Sequence, residues 1–296
     1  MTAAADVRRR QIPAEIRRRR MLAAIAEHAI LIALSLCFLL PVVMMLFTAL
    51  MTDEQALSPK LIPDPFVWSN FKTVFDQIDL ARYTWNTFLY AGLSTVGVVV
   101  SCVPVAYAFA RIRWRGRNIV FLGVLATLML PTQVTSVSLY IIFAKYTGWT
   151  GMEWIGTLKP LIVPSFFGDA FSIFLLRQFF LTIPREYTDA ARVDGCGEWR
   201  TLLQIVVPMA RPGIAAAALF SFFRAWNDYF GPLLYTSENQ AAWPVSYGLA
   251  TFRGVHGTDW SITMAMTVLV TVPVILLFLF AQRVFVEGIT LTGVKG

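Results

Sequence analysis

The groups best suited to chemistry stand close together near the end of one apolar stretch: Arg224, Trp226, Asn227, Asp228 and Tyr229. An amide and a carboxylate beside two aromatic rings suit a polyhydroxy ligand, offering hydrogen bonds to hydroxyls and an apolar face to the ring. A plainer account also holds. Arg224 and Asp228 are four apart and can neutralise each other on one helix face, as buried pairs often do for structural reasons. Upstream, Leu130-Pro131-Thr132-Gln133 followed by Thr135, Ser136 and Ser138 reads as a kink. It either lines a polar passage through Gln133 or packs small residue against small residue. Asp169 marks an outer mouth to such a passage. Enzyme chemistry is disfavoured. Cys37, Cys102 and Cys196 are far apart and His28 and His256 are isolated, so no metal site is expected. No His-x-x-x-His, Gly-x-Ser-x-Gly or paired intramembrane carboxylate occurs either.

Those groups must be positioned by elements that lie in lipid. Of 296 residues, 57% are hydrophobic and 15% charged, whereas an average soluble domain is about 25% charged. A water-soluble globule needs a polar skin that this chain lacks, and disordered chains are poor in hydrophobes. A hydrocarbon core about 30 Å thick takes about 20 apolar helical residues to cross. Six runs qualify: 29–50, 86–110, 119–144, 158–181, 213–235 and 261–281. The first is too long for a signal-peptide core and reads as an uncleaved helix. The fourth holds Pro160, Pro164, Gly168, Asp169 and Arg177, which only a helix inside a bundle tolerates. Residues 1–22 form a basic arm ahead of a transmembrane domain, 23–296.

Charge sorts these runs by side. Of the 25 basic residues, 18 fall in the arm, the loops after the second and fourth runs, and the tail, counting Arg177 near the end of the fourth run with the loop that follows it. Six fall in the alternate loops, counting Lys159 at the very start of the fourth run, and Arg224 lies inside the fifth run. The positive-inside rule then puts both termini in the cytoplasm. This clustering accounts for the net charge of +7 without a nucleic-acid partner. Trp68, Trp85, Trp149, Trp154, Trp243 and Trp260 flank the outer loops as an interfacial belt.

One soluble segment, 182–212, carries a pattern. Pro184 and Glu186 suit a first helical turn. Tyr187, Ala190, Ala191 and Asp194 form one face, and Gly195 stops the helix. A second helix over 198–206 is expected to run into Pro208. Small residues on the first helix would let a partner's backbone approach, and Glu186, Asp189, Arg192 and Asp194 would orient it. A generic amphipathic loop helix has the same composition. Spacing adds to this. Asp189-Ala190-Ala191, three residues, Gly195, nine residues and Ile205-Val206-Val207-Pro208 resemble the EAA motif of ATP-binding-cassette (ABC) importer permeases. Asp replaces Glu and Val replaces Leu in that pattern. Phe174-Leu175-Leu176-Arg177-Gln178-Phe179-Phe180, Trp226-Asn227-Asp228-Tyr229 and the tail Gly288 to Gly296 extend the likeness. Together they are similar to the shorter permease of maltose-type sugar importers.

The resemblance implies an all-α membrane protein of type I importer architecture, with six transmembrane helices and a cytoplasmic coupling helix. It would sit in a prokaryotic inner membrane beside a homologous permease, two ATPase subunits and an extracytoplasmic solute-binding protein. Glu186, Asp189, Ala190, Ala191, Arg192, Asp194 and Gly195 would meet the ATPase. Trp226, Asn227, Asp228, Tyr229, Gln133 and Asp169 would line the translocation path of a carbohydrate or sugar-like polyol. Trp243, Tyr247, Phe252 and His256 would face the binding protein. The chain has no Gly-x-x-x-x-Gly-Lys-Ser/Thr loop, so ATP and Mg²⁺ would belong to the ATPase subunits. The rival expectation is an ion-coupled secondary transporter using Asp228, Asp169 or Glu27.

Overall fold

The computed structural model describes residues 14–255 and 259–293, with side chains at 18–250, 259–280 and 282. Every regular element among them is helical. Helix α1 (Ala14–Ala49) leads to short α2 (Asp53–Ala56) and α3 (Ser69–Gln77). Helix α4 (Leu80–Arg111) follows, then α5 (Arg117–Thr127) and α6 (Thr132–Thr150). Short α7 (Lys159–Ile162) continues through a 3₁₀ stretch, Val163–Phe167, to α8 (Ala170–Thr182). Helices α9 (Arg185–Val193), α10 (Glu198–Thr201) and α11 (Val207–Met209) form the next connection. Helix α12 (Arg211–Trp226), short α13 (Phe230–Tyr235), α14 (Val245–Val255) and α15 (Trp260–Gly293) complete the chain.

Among the described residues, four stretches are long and apolar enough to cross a membrane: α1, α4, residues 159–182 and α15. Counting each bent pair as one span raises the number to six. Helices α5 and α6 meet at 92°, and the helical stretch 198–209 meets α12 at 82°. The run 119–144 is therefore two helices, because Pro131 lacks an N–H and keeps Leu130 out of the helical region. The run 213–235 also breaks. Helix α12 stops after Trp226, and the Asp228 carboxylate starts α13 by accepting from the Gly231 N–H at 3.0 Å. The second run begins at Leu80 rather than 86, since Asp79 caps α4 through the Arg82 N–H at 3.1 Å.

Helix α4 is the central post. Val98, Cys102, Ala106 and Tyr107 pack against Leu176 and Phe180 of α8, Val206 of the connection that follows it, and Ala217 of α12. A second cluster gathers Ala49, Val74, Tyr83, Val245 and Met266 around the upper end of α15. Helix α1 packs along α15, and its apolar residues remain exposed up to its last turns, Phe38 at 79%. That surface suits lipid or another apolar helix.

Close packing gives the first test. A Cβ on Gly213 would clash with the Phe179 ring, whereas nothing lies within 4 Å of one on Gly92. Gly213→Ala should cost about 1–3 kcal/mol by overpacking, lowering the midpoint of thermal unfolding in detergent. Gly92→Ala should leave it unchanged or gain up to about 1 kcal/mol. Equal midpoints for the two variants would contradict this packing.

Candidate functional site

Two side chains at the end of α4 hold the loop 182–212. The Arg111 guanidinium donates to the carbonyls of Phe180 and Ile183, satisfying acceptors at the end of α8 that the helix cannot satisfy itself. One turn earlier, the Tyr107 hydroxyl donates to Glu198 Oε2 at 2.6 Å. Glu198 Oε1 accepts from Arg192 Nε and Nη2 at 3.1 and 3.0 Å, and Arg192 Nη1 reaches Asp189 at 3.3 Å. The Tyr107 hydrogen bond, with help from Arg192, holds the Glu198 carboxyl below its usual range. The hydrogen bond to Glu198 likewise keeps Arg192 more firmly protonated. Helix α9 is thus tied to α4 from one side.

The other side of α9 is open. Thr188 and Ala191 turn inward, while Tyr187, Ala190 and Val193 are exposed, Val193 at 88%. Gly195 ends the helix at φ +78°, and the Cys196 N–H closes the turn on the Ala191 carbonyl at 2.9 Å. The single face expected from Tyr187, Ala190, Ala191 and Asp194 is therefore divided. Ala191 packs against the chain itself. Glu186, Asp189, Ala190, Asp194 and Gly195 are outward, and Arg192 is outward but committed to Asp189 and Glu198. Trp199 and Leu203, 68% and 60% exposed, extend the apolar surface. Their sequence signal was bulky apolar residues in a charged loop. Nor does the second helix end before Pro208. A π turn over Leu202–Val206 precedes it, so Pro208 falls in the first turn of the next segment, where its missing N–H is not needed.

Within the apolar layer, Arg224 does not pair with Asp228. It reaches Asp169 at 2.7 Å, and Asp169 also caps α8 through the Ser172 N–H and hydroxyl at 2.9 and 2.6 Å. Asp228 accepts from the Tyr90 hydroxyl at 2.7 Å. The break after Trp226 explains the exchange, since residues 224 and 228 no longer share one helix. Trp226, Asn227 and Tyr229 instead line a cavity of about 390 Å³ with Ser246 of α14 and Thr267 and Thr271 of α15. Asp228, Asp169 and Gln133 are not among its walls, and Gln133 is exposed on α6. The threonines had a legible signal: Thr263, Thr267 and Thr271 recur every four residues in the last run.

Tyr247 belongs to the interior rather than to an outer surface, and Trp243 is half-buried beside it. Tyr247 is 7% exposed, stacked on Tyr229 with centroids 6.0 Å apart and edge-on to Trp243 at 5.0 Å. The Trp243 indole donates to the Thr236 carbonyl at 3.0 Å. The Phe252 side chain and His256 lie outside the described residues.

Residues 102–290 match the family model described as binding-protein-dependent transport system inner membrane component. The arabinooligosaccharides transport system permease protein AraQ of Halalkalibacterium halodurans is 33% identical over 239 residues, covering 79% of this chain and 81% of that protein. The trehalose/maltose transport system permease protein MalG of Thermococcus litoralis is 30% identical, covering 90% and 94%. The sn-glycerol-3-phosphate transport system permease protein UgpE of Yersinia pestis is 30% identical, covering 86% and 91%. Among solved structures, a chain of a bacterial ABC transporter that imports alginate superposes with a TM-score of 0.74 at 21% identity, covering 90% of this chain and 97% of its own.

Tyr107→Phe removes one hydrogen bond to a charged group, worth about 1.5–3 kcal/mol. Amide hydrogen exchange across 185–198 should then accelerate about tenfold or more, with exchange in the middle of α4 unchanged. Unaltered exchange in α9 would mean that Tyr107 does not anchor it. Because the Glu198 carboxyl is held low, the same loosening should appear in the native protein only as pH falls through that depressed value.

Proposed function

This chain belongs to the family of binding-protein-dependent transport system inner membrane components, and from that membership we propose how it works. It is a multi-pass membrane permease subunit of an ABC importer, and it is not an enzyme. Two ATPase subunits on the cytoplasmic side would hold ATP and Mg²⁺. A second, homologous permease and an extracytoplasmic solute-binding protein would complete the assembly. The 18-to-6 division of basic residues supports cytoplasmic termini.

The observation that carries the reading is the two-sidedness of α9. Its inner face is fastened to α4 through Glu198 and Tyr107, and its outer face presents Tyr187, Ala190 and Val193. A helix held on one side and bare on the other can transmit a push. Closure of the ATPase pair would press α9, and α4 would carry the displacement to α8 and α12, which pack on it. Alternating access would follow from rocking of these helices.

The solute is a carbohydrate or a related polyol. The relatives named above carry arabinooligosaccharides, trehalose or maltose, and glycerol phosphate in their names. Among the described residues, no charged side chain lines the 390 Å³ cavity, which favours a neutral sugar over a phosphate ester here. Its size lies within the range of small-molecule sites, about 300–1,000 Å³, and an interrupted helix at a membrane cavity is where transported solutes bind. Ion coupling finds less support. Asp169 is held by Arg224 and Ser172, and Asp228 by Tyr90 and the Gly231 N–H.

Reversing charge with Asp189→Lys, or obstructing the turn with Gly195→Trp, should abolish solute-stimulated ATPase activity in the reconstituted complex while the chain still inserts. Tyr229→Ala and Asn227→Ala should each raise the KM for uptake about tenfold, the loss of about 1.4 kcal/mol of solute binding. Undiminished coupling in both loop variants would refute the docking role. Unchanged KM in both cavity variants would remove the solute from this cavity.

A further inference from the structure

A second cavity, of about 530 Å³, lies between α9 and the end of α4, and charge crowds it. Its walls include four arginines, Arg111, Arg113, Arg185 and Arg192, and two carboxylates, Asp189 and Glu198. Both carboxylates are spent on Arg192. Among the described residues, Arg111, Arg113 and Arg185 form no ion pair with a carboxylate. Arg111 is only 8% exposed, and its Nε–H, cut off from water, has no hydrogen-bond partner. Guanidinium groups that outnumber their counter-charges repel one another, and a multi-oxygen anion offers each of them charge-assisted hydrogen bonds. The surroundings indicate where such an anion would come from. Arg113 also lines a neighbouring hollow with Trp114, Arg117 and Ile119. Trp114 and Ile119 are 40% and 76% exposed, an aromatic and an aliphatic surface at the end of a membrane helix. An arginine cage joined to an apolar ledge at the cytoplasmic interface has the shape of a site for an anionic headgroup.

We propose that this cavity is a binding site for a phosphoryl group, set under the coupling helix so that its occupant braces α9 against α4. The proposal rests on the reading that this face is cytoplasmic. A phosphodiester of an anionic lipid and free inorganic phosphate share the required chemistry, and the ledge of Trp114 and Ile119 distinguishes the lipid by giving its chains a place to lie.

The test uses the chain purified with its partner subunits in mild detergent. Native mass spectrometry follows binding of phosphatidylglycerol against phosphatidylcholine, with inorganic phosphate in a separate titration. Arg113→Gln and Arg185→Gln avoid Arg111, whose loss would also uncap α8. Arg200→Gln, an exposed arginine bonded to Gln204, removes the same charge away from the cavity. The expected result is preferential retention of phosphatidylglycerol, weakened about tenfold by either cavity variant, about 1.4 kcal/mol, and untouched by Arg200→Gln. Binding of inorganic phosphate with the same variant pattern, and no preference among lipids, would uphold the site and reassign its source. The proposal is overturned if neither probe binds above phosphatidylcholine, or if Arg200→Gln weakens binding as much as Arg185→Gln. It is also overturned if Arg185→Gln only releases the ATPase subunits, which would place a partner's carboxylate in the cage. Retention of the ATPase in every variant reports on the coupling reading separately.

Discussion

The last two turns of α4 bear the load on which this molecule depends. Arg111 closes the end of α8 by binding the carbonyls of Phe180 and Ile183, and Tyr107 holds Glu198 from the other side of the loop. A helix end at a membrane surface has acceptors that neither lipid nor the helix can satisfy. Supplying that need from a neighbouring helix joins α4, α8 and the loop into one mechanical unit. Helix α9 can then be short and amphipathic without fraying, because Thr188 and Ala191 face a fixed surface and Arg192 is clamped to Glu198.

The same economy governs the polar groups deeper in the bundle. Each ionisable side chain there costs about 2.5–3.5 kcal/mol on insertion scales, so each is matched. Asp169 serves twice, as cap of α8 and as counter-ion to Arg224, and so pins α8 to α12. Asp228 also serves twice, accepting from Tyr90 of α4 and starting α13. With the carboxylates occupied in structure, the cavity beside them is left to neutral groups: Asn227, Tyr229, Ser246, Thr267 and Thr271. Neutral hydroxyl and amide groups with one half-exposed ring are what a sugar can exploit without leaving a buried charge unpaired.

Much of this was legible from residue types and spacing. Apolar runs, the turn at Gly195 and the break at Pro131 follow from local rules, because bilayer thickness, φ > 0 and a missing N–H act on the chain directly. The partner of Arg224 was not legible. An i, i+4 pairing presumes a continuous helix, and the interruption after Trp226 depends on Tyr90 and Gly231 meeting Asp228 in space. The division of α9 was equally hidden, since Ala190 and Ala191 are alike in type and only the docking of Thr188 and Ala191 separates them. Trp243 and Tyr247 sat in an outer loop by sequence, yet Tyr247 stacks on Tyr229 and holds Trp243 edge-on against it.

On the reading proposed above, the bare face of α9 would be where the permease receives the work of ATP hydrolysis. A photo-crosslinking residue substituted at Val193, 88% exposed at the end of that face, examines it directly in native membranes. The expected product is a single adduct with an ATP-binding subunit, its yield changing between nucleotide-free and ATP-trapped complexes. A face that crosslinks only to lipid, or to no ATP-binding protein in either state, would contradict it.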